Sequence, residues 1–164
     1  MTGLMENKVA IVTGGSSGIG KKTSIKFAAE GAKVIVADFQ KNEGEKTVSL
    51  IEEAGGEAFF IDVDVSREKD TEKMVELAVD KYGKLDCAFN NAGKLTAHKT
   101  EWTETPVELF DELIHTNLKG VWLCMKYELR AMLTQGYGCI VNNSSIGGVR
   151  GGGGEIYVAS KHGV

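Results

Sequence analysis

Short β-branched runs alternate with longer amphipathic runs along this chain, and the alternation predicts parallel strands joined by crossover helices. Lys8 to Thr13 reads as a first buried strand, because its continuous apolar run leaves neither face polar. Gly14 to Gly20 reads as a loop, and Lys21 to Glu30 as a helix that Gly31 stops. The same unit then recurs: a strand at Val34 to Asp38, a helix at Glu43 to Ala54, and a third strand at Ala58 to Asp62, with Gly55 and Gly56 marking the turn between the last two. Arg67 to Tyr82 reads as a helix, Leu85 to Phe89 as a fourth strand, and Asn90 to Gly93 as the turn that follows. Pro106 stands near a first helical turn that Thr103 or Thr105 could cap. Phe110, Leu113, Ile114, Leu118, Val121 and Met125 continue at helical spacing, so one long helix is expected. Cys139 to Asn142 reads as a fifth strand, Gly147 to Gly154 as a flexible glycine-rich loop, and Tyr157 to Val164 as the opening of a further helix. The expected fold class is α/β, a doubly wound parallel sheet of Rossmann type in three α/β/α layers, with residues 1–164 forming a single domain.

Composition narrows the partners. The net charge is −4, and the 19 basic residues are scattered among 23 acidic ones, so no basic face is available to neutralise nucleic-acid phosphates. Met1 to Lys8 holds no long apolar stretch, and no window approaches the roughly 20 apolar residues of a membrane-spanning helix, which predicts a cytoplasmic protein with no membrane partner. Cys87, Cys124 and Cys139 lie in apolar runs without metal-ligand spacing and read as core thiols; His98, His115 and His162 form neither a ligand set nor a Ser/His/Asp order, so no metal is expected.

Three motifs carry candidate chemistry. Gly14-Gly-Ser-Ser-Gly18-Ile-Gly20 lies between a strand and a helix, where glycines let the backbone approach a pyrophosphate and helix-terminal N–H groups face the anion. The spacing G-x-x-x-G-x-G differs from the generic G-x-G-x-x-G. A triphosphatase loop is the nearest rival, since Gly15 to Lys21 matches G-x-x-x-x-G-K. The next position must give a hydroxyl to Mg²⁺, however, and it is Lys22. Asp38 ends the second strand, where a carboxylate can accept hydrogen bonds from ribose hydroxyls and repel a 2′-phosphate, which favours NAD over NADP. Tyr157 and Lys161 are four residues apart, so a helix places phenol and ammonium on one face, where the cation favours the phenolate and the pair can exchange a proton near neutral pH.

The ordered combination of this glycine loop, Asp38, Asn90-Asn-Ala-Gly93, Asn117, Ser144-Ser145 and Tyr157-x-x-x-Lys161 resembles the short-chain dehydrogenase/reductase family over Asn7 to Val164. The resemblance implies that Gly14, Ser16, Ser17, Gly18, Ile19 and Gly20, with Thr13, hold a pyrophosphate. Asp38 would meet the adenosine ribose, Asp64 and Val65 the adenine edge, and Asn91 and Gly93 would lie along the nicotinamide cofactor. It also implies a catalytic tetrad of Asn117, a serine, Tyr157 and Lys161. Tyr157 exchanges the proton, Lys161 binds the nicotinamide ribose, and Asn117 bends the long helix and anchors a proton-relaying water.

Family spacing points to Ser144 as the serine that contacts substrate beside Tyr157. The local pattern Ser-x-x-Gly, with Gly148, points to Ser145, which is the expected catalytic serine. The implied reaction is hydride transfer between NAD, with NADP the lesser option, and a small alcohol or ketone, in a protein expected to be a homo-oligomer. Family members continue past the tyrosine helix with further strands and helices, so the domain is expected to be incomplete at its C-terminal side. A cofactor-binding fragment or interaction module without turnover is the second reading, and the triphosphatase the third.

Overall fold

The computed structural model describes residues 3–95, 102–152 and 154–164. Five strands, β1 (Val9–Thr13), β2 (Lys33–Asp38), β3 (Glu57–Asp62), β4 (Cys87–Asn90) and β5 (Cys139–Asn142), form one sheet, and every pairing is parallel. Six α-helices accompany them among the described residues: α1 (Gly18–Ala29), α2 (Lys41–Glu53), α3 (Glu68–Tyr82), α4 (Val107–Ile114), α5 (Gly120–Gln135) and α6 (Glu155–Gly163). The strand order is β3-β2-β1-β4-β5, so the winding reverses beside β1 and opens a crevice at the carboxyl ends of β1 and β4. The expected doubly wound α/β sheet is the one observed.

Alternation within the buried strands fills both helical layers. Val9, Ile11 and Ile35 point to one face and pack with Met74 and Val75 of α3 and Cys124 and Tyr127 of α5. Ala10, Val12, Val34 and Val36 point to the other and pack with Ala28 of α1 and Ile51 of α2. Two-sided burial is why these strands read as continuous apolar runs rather than alternating ones. The sheet is less covered at its β5 end, where Val141 is about half exposed. Cys139, expected in the core, is exposed there, whereas Cys124 is buried and Cys87 intermediate.

Several expected boundaries shift for physical reasons. The first helix begins at Gly18, not Lys21, so the last glycines of the loop belong to its first turn. The fourth strand begins at Cys87, with Leu85 and Asp86 buried ahead of it. Neither Thr103 nor Thr105 stands at the start of the long helix. Its N-cap is Pro106, with no side-chain cap bond, and Trp102–Glu104 forms a separate 3₁₀ turn. That helix is also not one regular element: a π-helical turn, His115–Lys119, separates α4 from α5. Ile146–Gly148 forms a 3₁₀ turn where only flexible loop was expected. His98 lies outside the described residues.

Candidate active site

The glycine loop leaves β1 directly beneath α1. Ser17 occupies the N-cap of α1 without making a side-chain cap bond, so the first-turn N–H groups of this 12-residue helix are not taken by a capping side chain, and no acidic residue lies in that turn. Gly18 opens the helix at φ +50, a conformation that favours glycine, and a Cβ there would meet nothing within 4 Å, so the space above it is open. Gly20 does the opposite job. A Cβ there would stand 2.1 Å from the Gly14 carbonyl oxygen, so only glycine lets the loop fold back on the helix.

These groups border a cavity of about 710 Å³, within the range of ligand sites, lined in part by Gly14, Ser17, Gly18 and Ile19 and by Asp38. Asp64 and Val65 line it from the loop after β3, and Asn91 and Gly93 from the loop after β4. Tyr157 and Lys161 of α6 close the far side with Asn143 and Ser144. Eleven positions foreseen from sequence therefore converge on one cavity: Gly14, Ser17, Gly18, Ile19, Asp38, Asp64, Val65, Asn91, Gly93, Tyr157 and Lys161.

Four foreseen positions sit differently. Ser16 is buried and does not line the cavity; its N–H and hydroxyl both donate to Asp38 Oδ2, while Gln40 N–H donates to Oδ1 at 3.0 Å. Ser16 thus orients the Asp38 carboxylate rather than forming a wall. Gly20 is packed under Gly14. Asn117 is fully buried in the π-helical turn. It pairs with the Lys94 backbone in both directions, accepting from N–H at 2.7 Å and donating to the carbonyl at 2.9 Å, and it donates to Ser160 Oγ at 3.1 Å. The Ser160 hydroxyl donates to the Tyr157 carbonyl at 2.7 Å, so the turn is tied to the helix bearing Tyr157. Ser145 caps the 3₁₀ turn, its Oγ accepting from Gly147 N–H at 3.1 Å. A Cβ on Gly147 would lie 3.5 Å from both Ser145 Oγ and the Tyr157 ring, which puts the two side chains on either side of one small space. The Ser144 hydroxyl instead donates to the Lys161 carbonyl at 2.7 Å.

Lys161 is buried, and its Nζ lies 6.0 Å from the Tyr157 ring centroid and donates to the Asn143 carbonyl at 2.8 Å. Burial pulls the Lys161 ammonium below its ordinary pKa. Burial works against the Asp64 charge too, but hydrogen bonds from the Ser66 hydroxyl and amide, with Arg67 and Lys94 nearby, leave that carboxyl below its usual value.

Sequence reasoning did not single out Phe39, Lys94 or Asn143. Phe39 is 60% exposed at the cavity edge, with Lys94 Nζ 5.9 Å from its ring centroid. An exposed aromatic directly after Asp38 was the available signal for the first. For Asn143 it was a second asparagine in succession after an apolar strand.

Comparison with known proteins agrees with this architecture. The family described as short chain dehydrogenase matches residues 8–164. An uncharacterized oxidoreductase of Thermotoga maritima is 44% identical over 89% of this chain and 57% of its own length. Cyclohexanol dehydrogenase of an Acinetobacter species is 40% identical over the whole chain and 65% of its own length. The crystal structure of levodione reductase superposes with a TM-score of 0.91 at 35% identity, covering 96% of this chain and 62% of that one. This chain thus spans a little over half the length of the relatives it matches, and it belongs to the short-chain dehydrogenase family.

Proposed function

We propose that this chain forms the cofactor-binding and catalytic part of an NAD-dependent oxidoreductase that interconverts an alcohol and a ketone. The observation that carries the reading is that Tyr157 and Lys161 share one cavity with Asp38 and the first turn of α1. The similarity to the Acinetobacter cyclohexanol dehydrogenase supports a secondary alcohol as substrate class.

The residues fit a dinucleotide. The uncapped first turn of α1 and the open space over Gly18 suit a pyrophosphate. The Asp38 carboxylate, held by Ser16 and Gln40, suits ribose hydroxyls and opposes a 2′-phosphate, which favours NAD over NADP. When bound, NAD supplies the hydride acceptor and NADH the hydride.

The chain's own groups then handle the proton. Tyr157 exchanges it with the substrate oxygen, and the Lys161 ammonium stands beside the phenolate that results and would hold the nicotinamide ribose. Ser145 orients the substrate oxygen. Its role is favoured over that of Ser144 because the Ser144 hydroxyl is already committed to the Lys161 carbonyl. Asn117 fixes Lys94 and, through Ser160, the helix of Tyr157. Trp122, Leu129 and Leu133, exposed on α5, support a homo-oligomer.

Replacing Tyr157 by Phe in the complete enzyme tests the assignment. Turnover of a panel of secondary alcohols should fall by about a thousandfold, with NADH affinity changed less than about twofold, since only the proton donor is lost. A variant that kept most of its turnover would end the reading. The NAD preference is checked separately: NADPH should bind at least about tenfold more weakly than NADH, and tighter NADPH binding would reverse it.

A further inference from the structure

Two buried acids are left unused by the chemistry above: Asp86, which pairs with Lys8 and Lys84, and Glu128, which has no ion pair among the described residues. Glu128 lies on α5, fully shielded from solvent, on the side that packs against β4 and β5. Its Oε2 accepts from Asn90 Nδ2 at 2.9 Å, and the same Asn90 nitrogen donates to Asn142 Oδ1 at 3.0 Å. Asn90 and Asn142 are the last residues of β4 and β5 and stand opposite each other in the sheet. The chain continues from each into the cavity wall. Asn143 N–H donates to the Asn90 carbonyl at 2.9 Å, and its side-chain amide donates to Asn91 Oδ1, also at 2.9 Å. Asn91 in turn donates to the Thr13 carbonyl at 3.1 Å, and the Asn143 carbonyl receives the Lys161 ammonium.

We propose that Glu128 is a positioning residue for Lys161: from beneath the sheet it ties the ends of β4 and β5 together through Asn90 and Asn142, so that Asn143 presents its carbonyl to the lysine. The inference rests on the reading of Lys161 given above. An acid is an expensive residue for a site with no cation, so its presence asks for a hydrogen-bonding reason. Two acceptor atoms in the cluster, Glu128 Oε1 and Asn90 Oδ1, have no partner among the described residues. A proton on the carboxyl turns one of its oxygens from an acceptor into a donor and so adds to the donors that the asparagine amides supply. Burial pushes the Glu128 carboxyl up to about 7, with the Asn90 bond opposing, so the neutral acid predominates below neutrality. Asn90 from β4 donates to it, Cys124 of its own helix interacts with it and Asn142 is one bond further on; no charged side chain among the described residues shifts its titration.

The test compares Glu128→Gln and Glu128→Ala in the complete enzyme, assayed well below the melting temperature of each. Glu128→Ala should bind NADH about tenfold more weakly and lower kcat about tenfold, with KM for the alcohol within about twofold, because the loss acts through Lys161 rather than on substrate. Glu128→Gln, which keeps shape and hydrogen bonding, should restore both to within about threefold. A purely structural role predicts a lower melting temperature with parental NADH affinity and kcat, and that result overturns the inference. So does a Gln variant as impaired as the Ala variant. Should Glu128→Ala fail to fold, Asn142→Ala breaks the same tie from the edge strand and should show the same split; parental values there also overturn it. Survival of turnover in Tyr157→Phe would instead remove the underlying reading, so the two failures are distinguishable.

Discussion

The two sides of the crevice are built by different means. On the β1–β2 side, the strands are buried on both faces but for Lys33 at the start of β2, and the loop that follows is shaped by backbone: Gly20 under the Gly14 carbonyl, Gly18 at positive φ, and helix-terminal N–H groups that no side chain caps. On the β4–β5 side the strands are short, β5 is partly exposed, and order comes from side chains. Asn90, Asn91, Asn142 and Asn143 bond to one another and onward to Thr13, Glu128 and Lys161. A site held by steric exclusion should fail abruptly with no isosteric remedy. One held by hydrogen bonds should fail by degrees and recover when the bonding pattern is restored.

The largest effect should therefore come from a single methyl on the backbone-built side. Gly20→Ala places its Cβ 2.1 Å from the Gly14 carbonyl oxygen, a contact that only a backbone shift relieves, and that shift displaces the N–H groups proposed to face a pyrophosphate. NADH affinity measured by cofactor fluorescence should fall about a thousandfold, and an alanine variant binding within about tenfold of the parent would show that the loop is more yielding than this contrast requires. A smaller effect should separate the two serines on the side-chain-built half. Ser145→Ala should reduce kcat about a hundredfold with NADH affinity kept, whereas Ser144→Ala, losing one bond to the Lys161 carbonyl, should cost about 1 kcal/mol of stability and much less activity. The reverse pattern would assign the substrate to Ser144.

The same contrast explains what was legible in the sequence. The β1–β2 side is encoded locally, in an apolar run followed by glycines at fixed spacing and an acid at the next strand end, so Gly14, Gly18 and Asp38 could be placed from residue order alone. Tyr157 and Lys161 were legible for the same reason, being one helical turn apart. The asparagine network was not, because its bonds join residues up to 78 positions apart, as from Asn91 to Thr13, and polar residues at strand ends look alike until the strands are aligned. Ser16 was legible as a loop residue but not as the partner of Asp38, since both roles place a serine in the same loop. Glu128 had a signal that went unused: it shares the apolar face of Val121 and Cys124 at helical spacing, where an acid is out of place.

The smallest expected effect is a pH dependence of stability that Glu128 imposes on the side-chain-built half. In the folded chain the Glu128 carboxyl holds its proton up to about pH 7, whereas in the unfolded chain it releases it near about 4.3. Between those values the folded state binds more protons than the unfolded one, so the contribution of this group is fully present below about pH 4 and is lost as pH rises through 7. The loss should be at most on the order of 4 kcal/mol, the full difference between the two values, in which the Asn90 bond that the ionised carboxyl keeps is already counted. Glutamine at this position mimics the neutral acid at every pH. Melting temperatures of parent and Glu128→Gln should therefore agree near pH 4.5 and diverge by several degrees above pH 8, with the variant higher, while every other titrating group cancels in the difference. Curves that ran parallel from pH 4.5 to 8.5 would mean that the cluster accommodates the charged carboxylate, and the interior of this half would then be more polar than its burial suggests.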